Sequence, residues 1–370
     1  MRIADHRFRS EGVTGKATND QNHRRPRGGR GAALLTAVGL LLAATTASSA
    51  DAAWRTPRTH FGDPDLQGLW TNATITALQR PAGFDTLVLT PEQGAAWERS
   101  TGDFFSSIDE VPDGSLEEGA DVGGYNSFWM DPGTRALRVG DEIRSSIIVE
   151  PADGRLPLRL GARAKLFAFF FRVQGAFDGP EQRPLGERCI VGFGSTGGPP
   201  MLPVLYNNNY QIVQSPGHVM IHVEMNHDAR IVRLTDTHLP ENIRPWMGDS
   251  IGRWEGDTLV VETTNFHPGQ SFRAAIKHQF YVTPHAVVTE WFTRTGEREI
   301  HYRFRVDDPG AYYEPWVGEL TLRATDGPIY EYACHEANYA MRGILKGARL
   351  AEREAAGDGA SDAPAGSGEE

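Results

Sequence analysis

The stretch Glu224-Met-Asn-His-Asp-Ala-Arg230 places a histidine, two carboxylates and a guanidinium within one turn and its flanks. Glu224, His227 and Asp228 are of the types that carry protons, and Arg230 is of the type that binds an anionic or oxyanion group. Turn geometry alone favours Asn226 and Asp228, but it explains His227 and Arg230 less well. A second group follows Tyr330-Glu-Tyr-Ala-Cys334, where His335 and Glu336 stand side by side ahead of Asn338 and Tyr339. A histidine beside a carboxylate can be a general acid or base with its orienting partner, or a pair of metal ligands. A solvated strand end would carry the same two residues with neither role. The catalytic expectation is Glu224, His227, Asp228, Arg230 and His335. A metal alternative draws on His222, His227 and His335 with Glu224 or Glu336.

Glu262 shares a strand face with Val260, Thr264 and Phe266. It is either a carboxylate turned into a mixed pocket, where burial would raise its pKa, or a solvent-facing strand residue. With Tyr210, His222, Asn265 and Glu336 it makes up the expected ligand-binding set. Asn207, Asn208 and Asn209 ahead of Tyr210 read as a turn, with carbohydrate binding as the other reading. Asn265-Phe-His267 lacks the Ser or Thr of a glycosylation acceptor. The chain has no Gly-x-Ser-x-Gly elbow, phosphate loop, dinucleotide fingerprint or His-Glu-x-x-His pair. Serine hydrolase, NTPase, dehydrogenase and zincin chemistries lose their usual support.

These side chains need elements to hold them, and the pattern is that of a β-rich domain. Asp63-Pro-Asp-Leu-Gln-Gly-Leu-Trp-Thr-Asn72 reads as a turn into a first barrel strand. Thr90-Pro-Glu-Gln is a helix start, with Thr90 as cap and Pro91 in the first turn. Leu160 to Phe177, rich in phenylalanine, reads as an apolar helix that plugs or covers the core. A strand over Ile143 to Glu150 precedes it, and a Gly/Pro-dense connector, Gly179 to Pro203, follows. Short strands then recur about every ten residues: Tyr210 to Gln214, His218 to Met225, Ala229 to Thr235, Gly252 to Glu255, Thr258 to Phe266, Ile276 to Val282, Ala286 to Arg294, Ile300 to Val306, Val317 to Arg323 and Ile329 to His335. An antiparallel meander closing into a lipocalin-like or related barrel, with one or two packed helices, is the expected fold. Alternation puts His218, Met220, His222 and Glu224 on one face of their strand and Val219, Ile221, Val223 and Met225 on the other. The polar face looks either into the lumen or to solvent.

Arg24, Arg25, Arg27 and Arg30 precede an apolar run from Ala32 to Ala44 and then Ala50-Asp-Ala52, the order of a cleavable secretory signal. The run is about thirteen residues, too short for a bilayer core that needs about 20, so no stable membrane span is expected. Residues 1–52 read as the signal, 53–350 as one domain, and 351–370 as a disordered acidic tail; the acidic Gly/Ser-rich stretch from Gly102 to Gly124 reads as a solvated loop. Removal of 1–52 takes away 8 basic and 4 acidic side chains, leaving 29 against 44 and a net charge of −15. A field of that sign repels nucleic acid. The location is periplasmic or secreted, and there the two cysteines, Cys189 and Cys334, read as one structural disulfide; the rival reading makes Cys334 a ligand beside His335 and Glu336.

The segments Asp65-Leu-Gln-Gly-Leu-Trp-Thr-Asn72, Glu187-Arg-Cys189, Tyr206-Asn-Asn-Asn-Tyr-Gln-Ile-Val213, Glu224-Met-Asn-His-Asp-Ala-Arg230, Trp246-Met-Gly-Asp249, Arg253-Trp-Glu-Gly-Asp-Thr-Leu259 and Tyr332-Ala-Cys-His-Glu336 resemble those of a family of secreted bacterial proteins. The resemblance spans most of Trp54 to Arg349 and implies export and a single domain, but no activity. The Trp-Glu-Gly-Asp segment also resembles hairpins of lipocalin-type barrels.

Three functions fit these residues. One is an exported hydrolase, lyase or isomerase using acid/base residues in a barrel pocket on a small organic or carbohydrate-derived substrate. Another is a non-catalytic binding barrel for an apolar ligand. The third is a His/Glu metalloprotein; no cofactor beyond a metal ion is expected. If the export reading is right, N-terminal sequencing of protein recovered outside the cytoplasm returns Ala53 as the first residue, whereas an intact Met1 would overturn it.

Overall fold

The computed structural model describes residues 54–109, 130–173, 177–336 and 338–356. The expected signal, the acidic stretch beyond Asp109 and the tail beyond residue 356 lie outside them. The strands, in chain order, begin with β1 (Gly68–Thr71), β2 (Val88–Leu89), β3 (Arg138–Val139), β4 (Glu142–Arg144) and β5 (Ile148–Glu150). They continue with β6 (Asn209–Ser215), β7 (His218–Val223), β8 (Ala229–Arg233), β9 (Asp249–Glu255) and β10 (Thr258–Thr264). The series ends with β11 (Phe272–Ala275), β12 (His278–Tyr281), β13 (Val287–Gly296), β14 (Glu299–Asp307) and β15 (Trp316–Ala324). Three helices, α1 (Pro91–Asp109), α2 (Leu160–Val173) and α3 (Ala340–Ala355), accompany them.

Nine strands form a closed barrel in the order β1, β6, β7, β8, β9, β10, β13, β14, β15, with β15 pairing back to β1 at Trp70 and Thr71. Every junction is antiparallel except β8 with β9, where Val232 faces Ser250 and Arg233 faces Ile251 in parallel register. β5 adds to one end of β15. β11 and β12 form a separate hairpin, and β2, β4 and β3 a small sheet under α1.

Alternation decides what fills the barrel. Val219, Ile221 and Val223 of β7, Ile300, Tyr302, Phe304 and Val306 of β14, and Val288, Glu290 and Phe292 of β13 all turn inward and are buried. Ring contacts then run across the lumen, from Phe292 to Tyr302 at 4.8 Å, Tyr302 to Phe304 at 5.5 Å and Phe304 to Trp316 at 5.5 Å. Gly318 makes room for them, because a Cβ there would lie 2.3 Å from Phe304 Cζ. The lumen is a packed core.

Of the two directions open to the polar face of β7, it takes the outward one, since its apolar partners Val219, Ile221 and Val223 supply the core. Several expectations need correction. Of the two expected roles, plugging or covering the core, α2 does not plug the barrel: aromatic rings already occupy that space, Leu160 and Phe167 are 76% and 71% exposed, and among its described side chains Ala162 and Leu166 meet the core. Ile329 to His335 is not a strand, because β15 already has β14 on one side and β1 and β5 on the other, leaving no edge to extend. Ala351 to Ala355 continue α3, and residues 102–109 continue α1, so neither is irregular. Ile143 to Glu150 divides into β4 and β5, separated by Ser145 to Ile147.

One charged pair lies inside the barrel. Arg230 reaches Glu290 with both terminal nitrogens, Nη1 to Oε2 and Nη2 to Oε1, the latter at 3.1 Å. The Tyr302 hydroxyl donates to Glu290 Oε1 at 2.6 Å and accepts from the Met201 amide at 2.9 Å. Burial opposes the Arg230 charge, yet the adjacent Glu290 carboxylate holds its pKa above the ordinary value. Removing one member strands the other charge in apolar surroundings, so Arg230→Met should destabilise by about 3–5 kcal/mol. The double variant Arg230→Met with Glu290→Leu should lose less than that single variant. Urea denaturation measures both, and equal losses would overturn the buried-pair account.

Candidate functional site

The residues expected to do chemistry do not converge on one centre. Glu224 accepts from Asn209 Nδ2 at 2.7 Å and from the Tyr330 amide at 3.1 Å. The His227 ring, exposed, accepts the Tyr332 amide at Nε2, also at 3.1 Å. Asp228 is buried and accepts the Gly192 amide at 2.7 Å. Arg230 points the other way, into the lumen, as does Tyr210, whose hydroxyl accepts from Asn72 Nδ2 and donates to the Thr196 carbonyl. His222 lies half-buried on the outer face, where burial and the neighbouring His227 lower its pKa. His335 and Glu336 are exposed beside the Cys189–Cys334 disulfide. That bond removes the reading of Cys334 as a metal ligand. Among the described residues, no three His, Cys, Asp or Glu side chains come together as a metal-holding group.

Glu262 and Asn265 serve the parallel junction. Joining β8 to β9 takes residues 234–248, and this crossover is pinned along its length. His238 lies between Asp249 Oδ2 at 2.8 Å and Glu262 Oε1 at 3.3 Å, and Asn265 Nδ2 donates to the Leu239 and Pro240 carbonyls. Arg244 donates to the Pro284 carbonyl at 2.8 Å. The crossover thereby delivers Trp246 to a cleft on the outside of the barrel.

That cleft encloses about 1070 Å³. Its walls are the loop from Glu181 to Gly194, the first turn of α2, the β11–β12 hairpin and the end of the crossover. Arg159, Lys165, Arg183, Arg188 and Arg273 line it against two acids, Glu181 and Glu187, so the local charge opposes that of the acidic chain. Arg183 forms a two-point pair with Glu187, Nε to Oε2 at 2.9 Å and Nη2 to Oε1 at 3.0 Å. The rings of Phe193, Trp246, Phe272 and Tyr281 supply an apolar surface. His267 packs on Trp246 with ring centres 3.9 Å apart and accepts the Gly269 amide at Nδ1, which makes Nε2 the N–H donor of the neutral ring.

The hairpin carries three basic residues into the interior. Burial pulls Arg273 down to about 9, Lys277 to about 7 and His278 to about 3. Lys277 donates to the Thr74 and Pro132 carbonyls, and His278 Nε2 accepts the Ser195 amide at 3.1 Å. Arg273 is 1% exposed while lining the cleft. The single strand expected over Ile276 to Val282 is instead the second arm of a hairpin, β12, paired with β11. The available signal was the spacing of Arg273, Lys277 and His278 within an otherwise apolar segment.

Three of the expected catalytic residues, Glu224, His227 and Asp228, brace the cleft wall from behind. Asp228 holds Gly192, a lining residue, and the disulfide ties Cys189 to the segment whose backbone Glu224 and His227 bind. Burial raises the Asp228 pKa, opposed by the Gly192 amide, Asn226 and His227. A raised value in the folded state contributes stability below the ordinary carboxylate pKa of about 4, and this contribution is lost as pH rises through the raised value. Asp228→Asn, which cannot ionise, should therefore gain stability relative to wild type between about pH 4 and pH 7. Thermal melts across that range test this, and a constant difference would contradict it.

Scanned against protein-family models, curated proteins and solved structures, the chain finds no match, so its chemistry is read from this geometry alone.

Proposed function

We propose that the protein is exported and acts on a small organic anion with an apolar body, and that the cleft rather than the lumen receives it. The observation that carries this reading is the reversal of charge: five basic side chains and four aromatic residues line one cleft in a strongly acidic chain. A cationic recess with low-dielectric walls concentrates anions against the repulsion of the surrounding surface. Its aromatic walls suit the ligand's apolar part. The lumen offers no comparable space, being filled by Trp70, Phe292, Tyr302, Phe304 and Trp316, which weighs against an apolar ligand held inside a lipocalin-like barrel. The disulfide fits an oxidising compartment, and no described helix is long and apolar enough to cross a membrane.

Turnover is the second reading, in keeping with a hydrolase, lyase or isomerase. It is favoured by His267 at the Trp246 edge of the cleft and by His285 in its lining, two side chains of the type that carries protons. Incubation with a bound anion separates the two functions: a changed product means catalysis, and unchanged recovery means binding. In either case Trp246→Ala should weaken binding of arylalkanoate probes by about tenfold with little change in melting temperature. Isothermal titration measures the effect, and unaltered affinity would remove the cleft as the site.

A further inference from the structure

Arg273 is the most deeply buried charge in the cleft's lining, and its hydrogen bonds are all on one side. Nη1 donates to Ser195 Oγ at 3.0 Å and to the Pro199 carbonyl. Nε and Nη2, both buried, have no partner. In a guanidinium, Nε–H and the Nη2–H beside it point in parallel from one edge, the edge that accepts a carboxylate through two hydrogen bonds. The side chain is therefore fixed through Nη1; its oxyanion-matching edge has no protein acceptor and is closed to solvent, so a ligand reaches it only as the side chains over it move aside.

Charge in the surroundings runs the same way. Arg230 is close enough to Arg273 to depress its pKa, while Glu290, the carboxylate that acts on Arg273 from the lumen side, is already engaged by both Arg230 nitrogens and the Tyr302 hydroxyl. Two guanidiniums thus share one carboxylate in the interior, leaving one positive charge uncompensated. A buried cation without a counter-ion is strongly disfavoured.

We propose that the Nε/Nη2 edge of Arg273 is the anchor of the cleft, binding the carboxylate of a small organic acid through two parallel hydrogen bonds. A carboxylate is the better match than a phosphate monoester, because its single charge equals the single charge left uncompensated, whereas a phosphate brings about −1.5 to −2. The acid's apolar part then lies toward Phe193, Phe272 and Trp246, which share the lining with Arg273. Arg159 and Arg183 are less suited to anchor it: Arg159 Nε donates to the Tyr312 carbonyl, and Arg183 Nε and Nη2 face Glu187.

This assignment rests on the cleft being the binding site, and the test separates the two claims. Phenylacetate and 3-phenylpropionate are titrated into the full-length protein alongside their primary amides. The acids should bind at least about tenfold more tightly than the amides, the range expected for charge-assisted hydrogen bonds. In Arg273→Met that preference for the acids should vanish. A preference that persists in Arg273→Met overturns the anchor and leaves the cleft reading standing, with recognition passing to the rim arginines. Equal binding of acids and amides to wild type overturns it in the same way. If neither binds, the cleft reading itself fails. Should Arg273→Met not fold, a crystal structure of wild type with 3-phenylpropionate decides: carboxylate oxygens against Nε and Nη2 support the anchor, and any other placement refutes it.

Discussion

A ring of nine strands cannot alternate in direction all the way round, and one junction must be parallel. In this protein it falls between β8 and β9. An antiparallel junction closes with a tight turn, but a parallel one needs a length of chain to return to the starting end. Residues 234–248 are that length, and the site depends on them. They carry Trp246 to the cleft, and they are fastened by Asp249, Glu262 and Asn265 so that Trp246 has a defined position. The parity of the barrel thereby sets where an aromatic wall can stand outside it.

The packed lumen has a complementary effect. Because Phe292, Tyr302, Phe304 and Trp316 fill it, the interior leaves no room for a ligand, and the cleft of basic and aromatic side chains stands on the outer wall. The β11–β12 hairpin bridges the two regions, with Phe280 meeting Trp316 at 5.7 Å and Arg273 lying between the lumen pair and the cleft. Basic side chains in so short a hairpin are held by carbonyls, one hydroxyl and one amide rather than by acids, which is why burial lowers the pKa of all three.

Much of the barrel was legible because alternation is a local signal. The valines and isoleucine of β7 and the aromatics of β14 announce their strands and their shared face. The parallel junction was not legible, since pairing partners depend on register across the ring and not on any one segment. The direction of the β7 polar face was equally open, because a period of two says that faces differ but not which one meets the core. For the site, the sequence drew attention to Glu224, His227 and Asp228 as an unusual cluster, and these residues do have specific partners. Those partners are backbone amides of Tyr330, Tyr332 and Gly192, which no side-chain pattern encodes. Arg273 was missed for a related reason: its importance lies in which of its nitrogens lack acceptors, a property of the three-dimensional surroundings.

The pairing of β1 with β15 has a consequence in time. Trp70 meets Ala324 across the closing seam, so strands more than 250 residues apart must find each other before the ring exists. Contacts of such sequence separation form slowly, because the loop entropy of the intervening chain is lost before any reward is gained. A chain threaded through a membrane from its N-terminus would present β1 early and β15 near the end. Until the last strand arrives, β1 offers an unpaired edge to any neighbouring chain. Closure of this barrel therefore waits for β15, and the interval before it is when the edge of β1 is most exposed to mispairing.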